Sequence, residues 1–269
     1  MQKAQPKIQS ESKFIWKLIL DILKTPLTIF LILFKKRKIK DLFQPLSDLW
    51  QFIIEPKFTI LIIFFNITIF IISIFFSDQL LTLFLNYPSD LFTPSRLYSL
   101  FTSGFLHANL SHLLGNMLAL FIFGRVVERK LGIIKTLFIY FGALVISGIF
   151  TSLINGLILN DNTPGLGASG AIMGLIAAAI LLDPFYLTYE AILPLPIMLV
   201  GWLTIYADII GILNPIKDGI GHFAHLGGFL SVGILLYLFG IDERKKMRTG
   251  LIINIASFIA IAVIYFFLL

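Results

Sequence analysis

The sequence predicts an all-α, polytopic membrane helix bundle, and three observations carry this. Of its 269 residues 58% are hydrophobic and 13% charged, whereas soluble domains are about half apolar and about a quarter charged. Apolar runs near the roughly 20 residues of a membrane span recur along the chain. Lysine and arginine collect in alternate connections, the mark that charge leaves on membrane topology. There is no cysteine, which excludes disulfides, thiol catalysis and thiolate-bound metal. The net charge of +6 lies beside apolar runs. The lipid bilayer is therefore an expected partner and nucleic acid is not.

The first 12 residues are polar. From Lys13 to Lys24, Phe14, Ile15, Leu18, Ile19, Ile22 and Leu23 recur at helical spacing, with Lys13, Lys17 and Lys24 on another face. This reads as an amphipathic helix in the membrane interface. The apolar tail Leu27–Phe34 is too short to span alone. A tilted span over 14–34 is the alternative, and it would carry Lys17, Asp21 and Lys24. Those charges and Pro26 also argue against a cleaved signal peptide. Lys35-Lys36-Arg37-Lys38 marks an expected cytoplasmic face, and a second amphipathic stretch, Leu42–Ile54, leads to Pro56. Residues 1–57 are thus expected to form a cytoplasmic, interfacial region.

Seven spans are expected beyond it: 58–76, 110–127, 134–154, 169–182, 193–213, 221–239 and, after a basic loop, 250–269. Residues 58–240 are expected to form a six-helix membrane domain, and 241–269 the loop and seventh span. With the N-terminus inside, all but two of the 21 basic residues fall on the inner side, the exceptions being Arg96 and Lys217. The connection over 77–109 is then external. Its Leu80, Leu81, Phe84 and Phe92 suggest partial burial in the outer leaflet.

This topology brings the reactive residues to one side. Gly167-Ala-Ser169-Gly170 sits where a polar loop becomes an apolar run. All four histidines, His107, His112, His222 and His225, are expected on the outer side. His112 and Asn116, four apart, share a helix face. Counting along the spans puts Ser169, His225, His112 and Asn116 at one depth on three helices. A lone membrane histidine usually bonds a neighbouring helix, but four of them beside a helix-terminal serine suggest chemistry. Serine needs a base to take its proton, and neutral histidine can do so near pH 7. The developing oxyanion needs donors, which Asn and His side chains and a helix N-terminus supply. Gly170 and Gly174 on one span, and Ala224 and Gly228 on another, permit the close helix approach such a contact requires.

Four runs together resemble the rhomboid family of intramembrane serine proteases: His107-Ala-Asn-Leu-Ser-His112-Leu-Leu-Gly-Asn116, Gly124-Arg-Val-Val-Glu128-Arg-Lys-Leu-Gly132, Gly167-Ala-Ser169-Gly170 and Ala224-His225-Leu-Gly-Gly228. The resemblance covers about residues 58–240. It implies a six-helix core, to which the C-terminal span is an addition. It implies a serine endopeptidase with Ser169 as nucleophile and His225 as general base of a dyad. His112, Asn116 and the Ser169 N–H would form the oxyanion hole, with His107, Glu128, Gly167, Gly170, Met173, Gly228 and His222 in support. Neither metal nor cofactor is implied, and the substrates would be transmembrane proteins with a locally unstable helix.

Two positions depart from the family pattern. Tyr98-Ser99 replaces a Trp-Arg pair, with Arg96 nearby, which bears on loop anchoring and not on chemistry. Met173 replaces an aromatic residue against the base histidine. Asp208 is unexpected: a carboxylate in a span at the depth of His225. It could orient His222 or His225 as a third member. The implied dyad instead favours a charge in a water-filled cavity or a partner for Lys217. Three other functions compete: a metalloenzyme on the four histidines, a non-catalytic binder of membrane proteins, and a transporter. The compact core suggests a prokaryotic plasma membrane, with the active site opening to the outer face.

Overall fold

A computed structural model describes residues 11–188, 195–214, 218–235, 237 and 239–268. The described residues are mostly helical, with one short antiparallel strand pair, Leu187–Thr188 with Leu195–Pro196. Helices α1 (Glu11–Leu23), α2 (Thr25–Leu33) and α3 (Gln44–Ile54) form the N-terminal region. Pro26 opens α2, a place where its missing N–H costs nothing. Lys17 bonds Asp48 at 2.6 Å, and the Phe14 and Phe52 rings stack at 4.3 Å, tying α1 to α3. Trp16, Leu20, Leu23, Phe30 and Trp50 remain exposed, as an interfacial helix set requires.

The chain bends by 82° at Glu55-Pro56 into α4 (Lys57–Ser73). Short helical turns over 78–105 lead to α5 (Leu110–Leu131) and α6 (Ile133–Ile158). Helices α7 (Ser169–Leu182), α8 (Ile197–Leu213), α9 (His222–Leu235) and α10 (Ile241–Leu268) complete the bundle. By length and apolarity α5 and α6 can each cross a membrane alone, and α3 with α4 makes a bent pair. The α7, α8 and α9 helices are shorter, at 14, 17 and 14 residues. At 1.5 Å per residue α7 is about 21 Å long, against about 30 Å of hydrocarbon. Such a helix falls short of the full hydrocarbon thickness.

The boundaries differ from the expected ones in instructive places. The stretch expected as a basic loop over 241–249 is helical and belongs to α10. Glu, Lys and Arg are good helix formers, no glycine or proline intervenes before Gly250, and Asp242 and Glu243 suit a first turn. Charge alone had suggested a loop. The fifth expected span starts at Ile197, after Pro196; its positions 193 and 194 lie outside the described residues. So do positions 236 and 238 of the sixth.

Helix α7 is the centre of the bundle, with every residue from Gly170 to Ile180 buried. It packs against α6, α9 and α10. Backbone contact makes this possible. A Cβ at Gly228 would overlap the Gly170 carbonyl, and one at Gly174 would overlap Ala143. Polar bonds hold the other end. Asn254 of α10 donates to the Ile180 carbonyl at 2.8 Å and accepts from Trp202 Nε1 at 2.8 Å. That single amide joins α7, α8 and α10.

Glu128 has a structural task. Its carboxylate accepts from the Phe58 and Thr59 N–H groups at 3.0 and 2.9 Å and from the Thr59 hydroxyl at 2.9 Å. It therefore caps α4, whose first-turn N–H groups have no helical partner. Glu128→Ala would leave these donors buried and unpaired. It is expected to cost about 2–3 kcal/mol, read as a lower unfolding temperature in detergent. Glu128→Gln should lose less, because one oxygen still accepts.

The basic residues gather at the same end. Arg125 and Arg129 both bond Glu55, Arg129 also bonds the Tyr186 hydroxyl at 3.1 Å, Lys130 pairs with Asp183 at 2.6 Å, and Lys135 pairs with Glu243. At the other end, Arg96 holds the 78–105 segment together. It donates to both Asp90 oxygens at 3.1 and 3.0 Å, to the Leu83 carbonyl at 2.6 Å and to the Tyr98 hydroxyl at 2.6 Å. Arg96 and Tyr98 are therefore the anchor of this loop.

Candidate active site

The site begins with the loop that feeds α7. Gly165 pairs with Asn86 through two backbone bonds, at 3.2 and 2.8 Å, and the Gly167 N–H donates to the Ser103 carbonyl at 2.9 Å. Gly167 has φ +113°, a region open to glycine and costly for other residues. Space also demands glycine here. A Cβ would come within 2.8 Å of His112 Nε2 and 3.5 Å of Asn116 Nδ2. The loop thus runs directly against the two side chains of α5. Asn109 starts that helix, its Oδ1 accepting from the His112 N–H at 2.9 Å. This is a standard N-cap.

Ser169 is the first helical residue of α7 and is half-buried. Its N–H is one of the helix-start donors without an intrahelical partner. Asn116 is buried, and its Nδ2 has no hydrogen-bond partner. An unpaired buried amide donor is costly, and this one faces the loop two residues before Ser169. His107 packs edge-on against His112 with ring centroids 5.1 Å apart. Burial, and then the neighbouring His112, push the His107 imidazole down to about 4. It stays neutral through the physiological range.

Helix α9 crosses the first turn of α7. A Cβ at Gly170 would lie 3.7 Å from the Ala224 carbonyl. With the Gly228–Gly170 contact, this brackets the crossing of the two helix segments that carry Ser169 and His225. Ser169 makes no hydrogen bond to His225. Instead His225 Nδ1 lies 2.8 Å from Asp208 Oδ1, and His222 Nδ1 lies 2.8 Å from the same oxygen. His222 Nε2 is 3.3 Å from Asp218 Oδ2. Met173 lines a small crevice with Asp208, Ile205 and Phe229.

The fold therefore brings Ser169, Gly167, Gly170, His112 and Asn116 together, and packs the helix that carries His225 and Gly228 against the first turn of α7. Glu128 is elsewhere, about 18 Å further along α5 than Asn116. Lys217, the partner considered for Asp208, lies outside the described residues. The histidines make two ring contacts: His107 with His112, and His222 with His225, whose rings are 6.4 Å apart. Asp208, His222 and His225 offer atoms within 4.8 Å of one another, a set that could hold a divalent ion. The two hydrogen bonds to Asp208 already account for that closeness. Asn109 and Asp218 escaped sequence reasoning. The first stood at a helix start and the second four residues before His222, and either spacing could have flagged them.

The Rhomboid domain profile matches residues 94–243. A rhomboid-like mitochondrial protein of Arabidopsis thaliana is 30% identical over 209 residues, covering 72% of this chain and 60% of that protein. A chloroplastic rhomboid-like protein of the same plant is 30% identical over 189 residues, 65% of this chain and 62% of its own length. A rhomboid protease, AarA of Providencia stuartii, is 32% identical over 169 residues, 54% of this chain and 56% of its own. The chain thus spans about 60% of the first two relatives. Their names place them in mitochondria and chloroplasts, so the expectation of a prokaryotic plasma membrane loses its support. The domain match over more than half the chain, with its apolar helix bundle, makes this chain an integral membrane protein of the rhomboid family.

Proposed function

We propose that the chain is an intramembrane serine endopeptidase acting on transmembrane segments of membrane proteins. The observation that carries this is the buried, unpartnered Asn116 amide beside Gly167, at the N-terminus of the helix that Ser169 begins. An oxyanion formed on a carbonyl attacked by Ser169 would supply the acceptor this amide lacks.

In the proposed mechanism Ser169 Oγ attacks the scissile carbonyl while His225 Nε2 takes the hydroxyl proton. The carbonyl electron pair moves to oxygen, where Asn116, His112 and the Ser169 N–H stabilise it. Collapse breaks the C–N bond, and the leaving amine takes the proton from His225. Water, activated by the same imidazole, then releases the acyl group from Ser169. The missing Ser169–His225 bond is compatible with this, since catalytic contacts are often loose without substrate and tighten on binding. A membrane helix hides its peptide bonds, so a substrate segment must unwind before Ser169 can reach a carbonyl. The basic end of the bundle is assigned to the cytoplasmic side by the positive-inside rule, which opens the site to the opposite face.

A fluorophosphonate or isocoumarin probe tests the nucleophile. Labelling of the folded wild type that disappears in Ser169→Ala supports the reading. Labelling that persists in Ser169→Ala, or fails in the wild type, favours a non-catalytic binder.

A further inference from the structure

A dyad leaves the most connected acidic group at this end of the bundle without a task. Asp208 lies on α8 with its side chain only 7% exposed. Its Oδ1 meets the Nδ1 atoms of both His222 and His225 at 2.8 Å, and its Oδ2 is buried without a partner. An ionised carboxylate accepts only, whereas a protonated one has a single proton to donate. Two imidazoles on one oxygen are both satisfied when each donates its Nδ1–H. A neutral ring that donates from Nδ1 has its lone pair at Nε2. That is the form a general base needs toward Ser169.

The surroundings are built for this contact. Gly211, three residues after Asp208 on α8, lies where a Cβ would overlap the His222 ring. Glycine there lets α9 approach closely enough for both rings to reach Asp208. His222 is held from its other side by Asp218, at 3.3 Å. Asp208 thus sits against His222, itself fixed between two carboxylates, while its other bond goes to His225.

We propose that Asp208 is a positioning residue of the active site, its hydrogen bond to Nδ1 holding His225 in the Nδ1–H tautomer with Nε2 available to Ser169. The inference rests on the reading of Ser169 and His225 as nucleophile and base. As His225 takes the serine proton it becomes an imidazolium, and its Nδ1–H···Oδ1 bond then joins opposite charges and strengthens. Asparagine at 208 would keep the shape but present either an uncharged acceptor or an NH₂ donor. The donor face would favour the opposite tautomer, with Nε2 blocked by its proton.

The test compares wild type, Asp208→Asn and Asp208→Glu as full chains in detergent or liposomes with a single-span reporter substrate. For Asp208→Asn we expect kcat to fall about 10²–10⁴-fold, the scale seen where a base histidine loses its carboxylate, with KM within about threefold. Asp208→Glu should recover part of the rate. Among the described residues the other ionisable groups around His225 are His222 on the same helix, Asp218 beyond it and His112 on α5, and none of them changes in these variants. A second measurement needs no variant at 208. With ¹⁵N-histidine and only four histidines, His225 should show a protonated Nδ1 and a bare Nε2 in the uncharged enzyme. Wild-type kcat in folded Asp208→Asn overturns the inference, as does the reversed tautomer. The dyad reading is judged separately. If Ser169→Ala is inactive while Asp208→Asn is not, the inference on Asp208 fails alone.

Discussion

Ser169→Ala is expected to reduce cleavage of a single-span reporter to background, a loss of at least about 10⁴-fold. His225→Ala should do the same, and the double variant should be no worse than either, because nucleophile and base act as one unit. Binding of an uncleaved substrate should survive in Ser169→Ala, since Ser169 makes no hydrogen bond to a neighbouring helix. Cleavage is read on gels in reconstituted liposomes, and substrate binding by crosslinking. Residual cleavage in Ser169→Ala that a chelator removes would point to the metal reading of Asp208, His222 and His225 instead. The reason for expecting a total loss is physical. An unactivated serine, or a water without a base, faces the full barrier of amide attack, and Asn116 and the α7 terminus can lower only part of it.

The second large effect concerns the crossing of α7 and α9. Gly228→Ala is expected to lower stability by about 1–3 kcal/mol and cleavage by about 10²-fold. The new methyl group would overlap the Gly170 carbonyl. Backbone cannot rotate away as a side chain can, so the two helices must separate. Separation moves Ser169 from His225, and a displacement of about 1 Å can cost about 10²-fold in rate. Gly233→Ala is the control. It lies on the same helix, and a Cβ there meets nothing within 4 Å. Its unfolding temperature in detergent and its activity should match wild type. Equal behaviour of the two variants would show that the crossing tolerates expansion.

Much of this molecule is legible along the chain because a bilayer imposes simple rules. Backbone groups in hydrocarbon must be bonded within a helix, so apolar runs announce α4 to α10. Charge placement separates the ends, and Arg125, Arg129, Lys130 and Lys135 do gather at one of them. Helical spacing alone put His112 and Asn116 on one face, where both now touch Gly167. Boundaries were less readable. Apolar counting marks which residues tolerate lipid, not where hydrogen bonding stops. It therefore carried the α8 span back over Leu195 and Pro196 and took the first turns of α10 for a loop.

The chemistry-bearing residues and their order were determined by sequence: a serine between glycines, histidines on one side, small residues where helices must touch. Which oxygen meets which nitrogen was decided by tertiary structure alone. Asp208 could equally have faced water or Lys217. Only the packing of α8 on α9, with Gly211 making room, brings His222 and His225 to the same carboxylate oxygen. Glu128 shows the same division, since its motif marked it as important but only the fold revealed that it caps α4. Spacing along one helix is set by local geometry that every helix shares. Contact between helices depends on their rotation and crossing, which arise from the sum of many small packing terms that no single stretch of sequence contains.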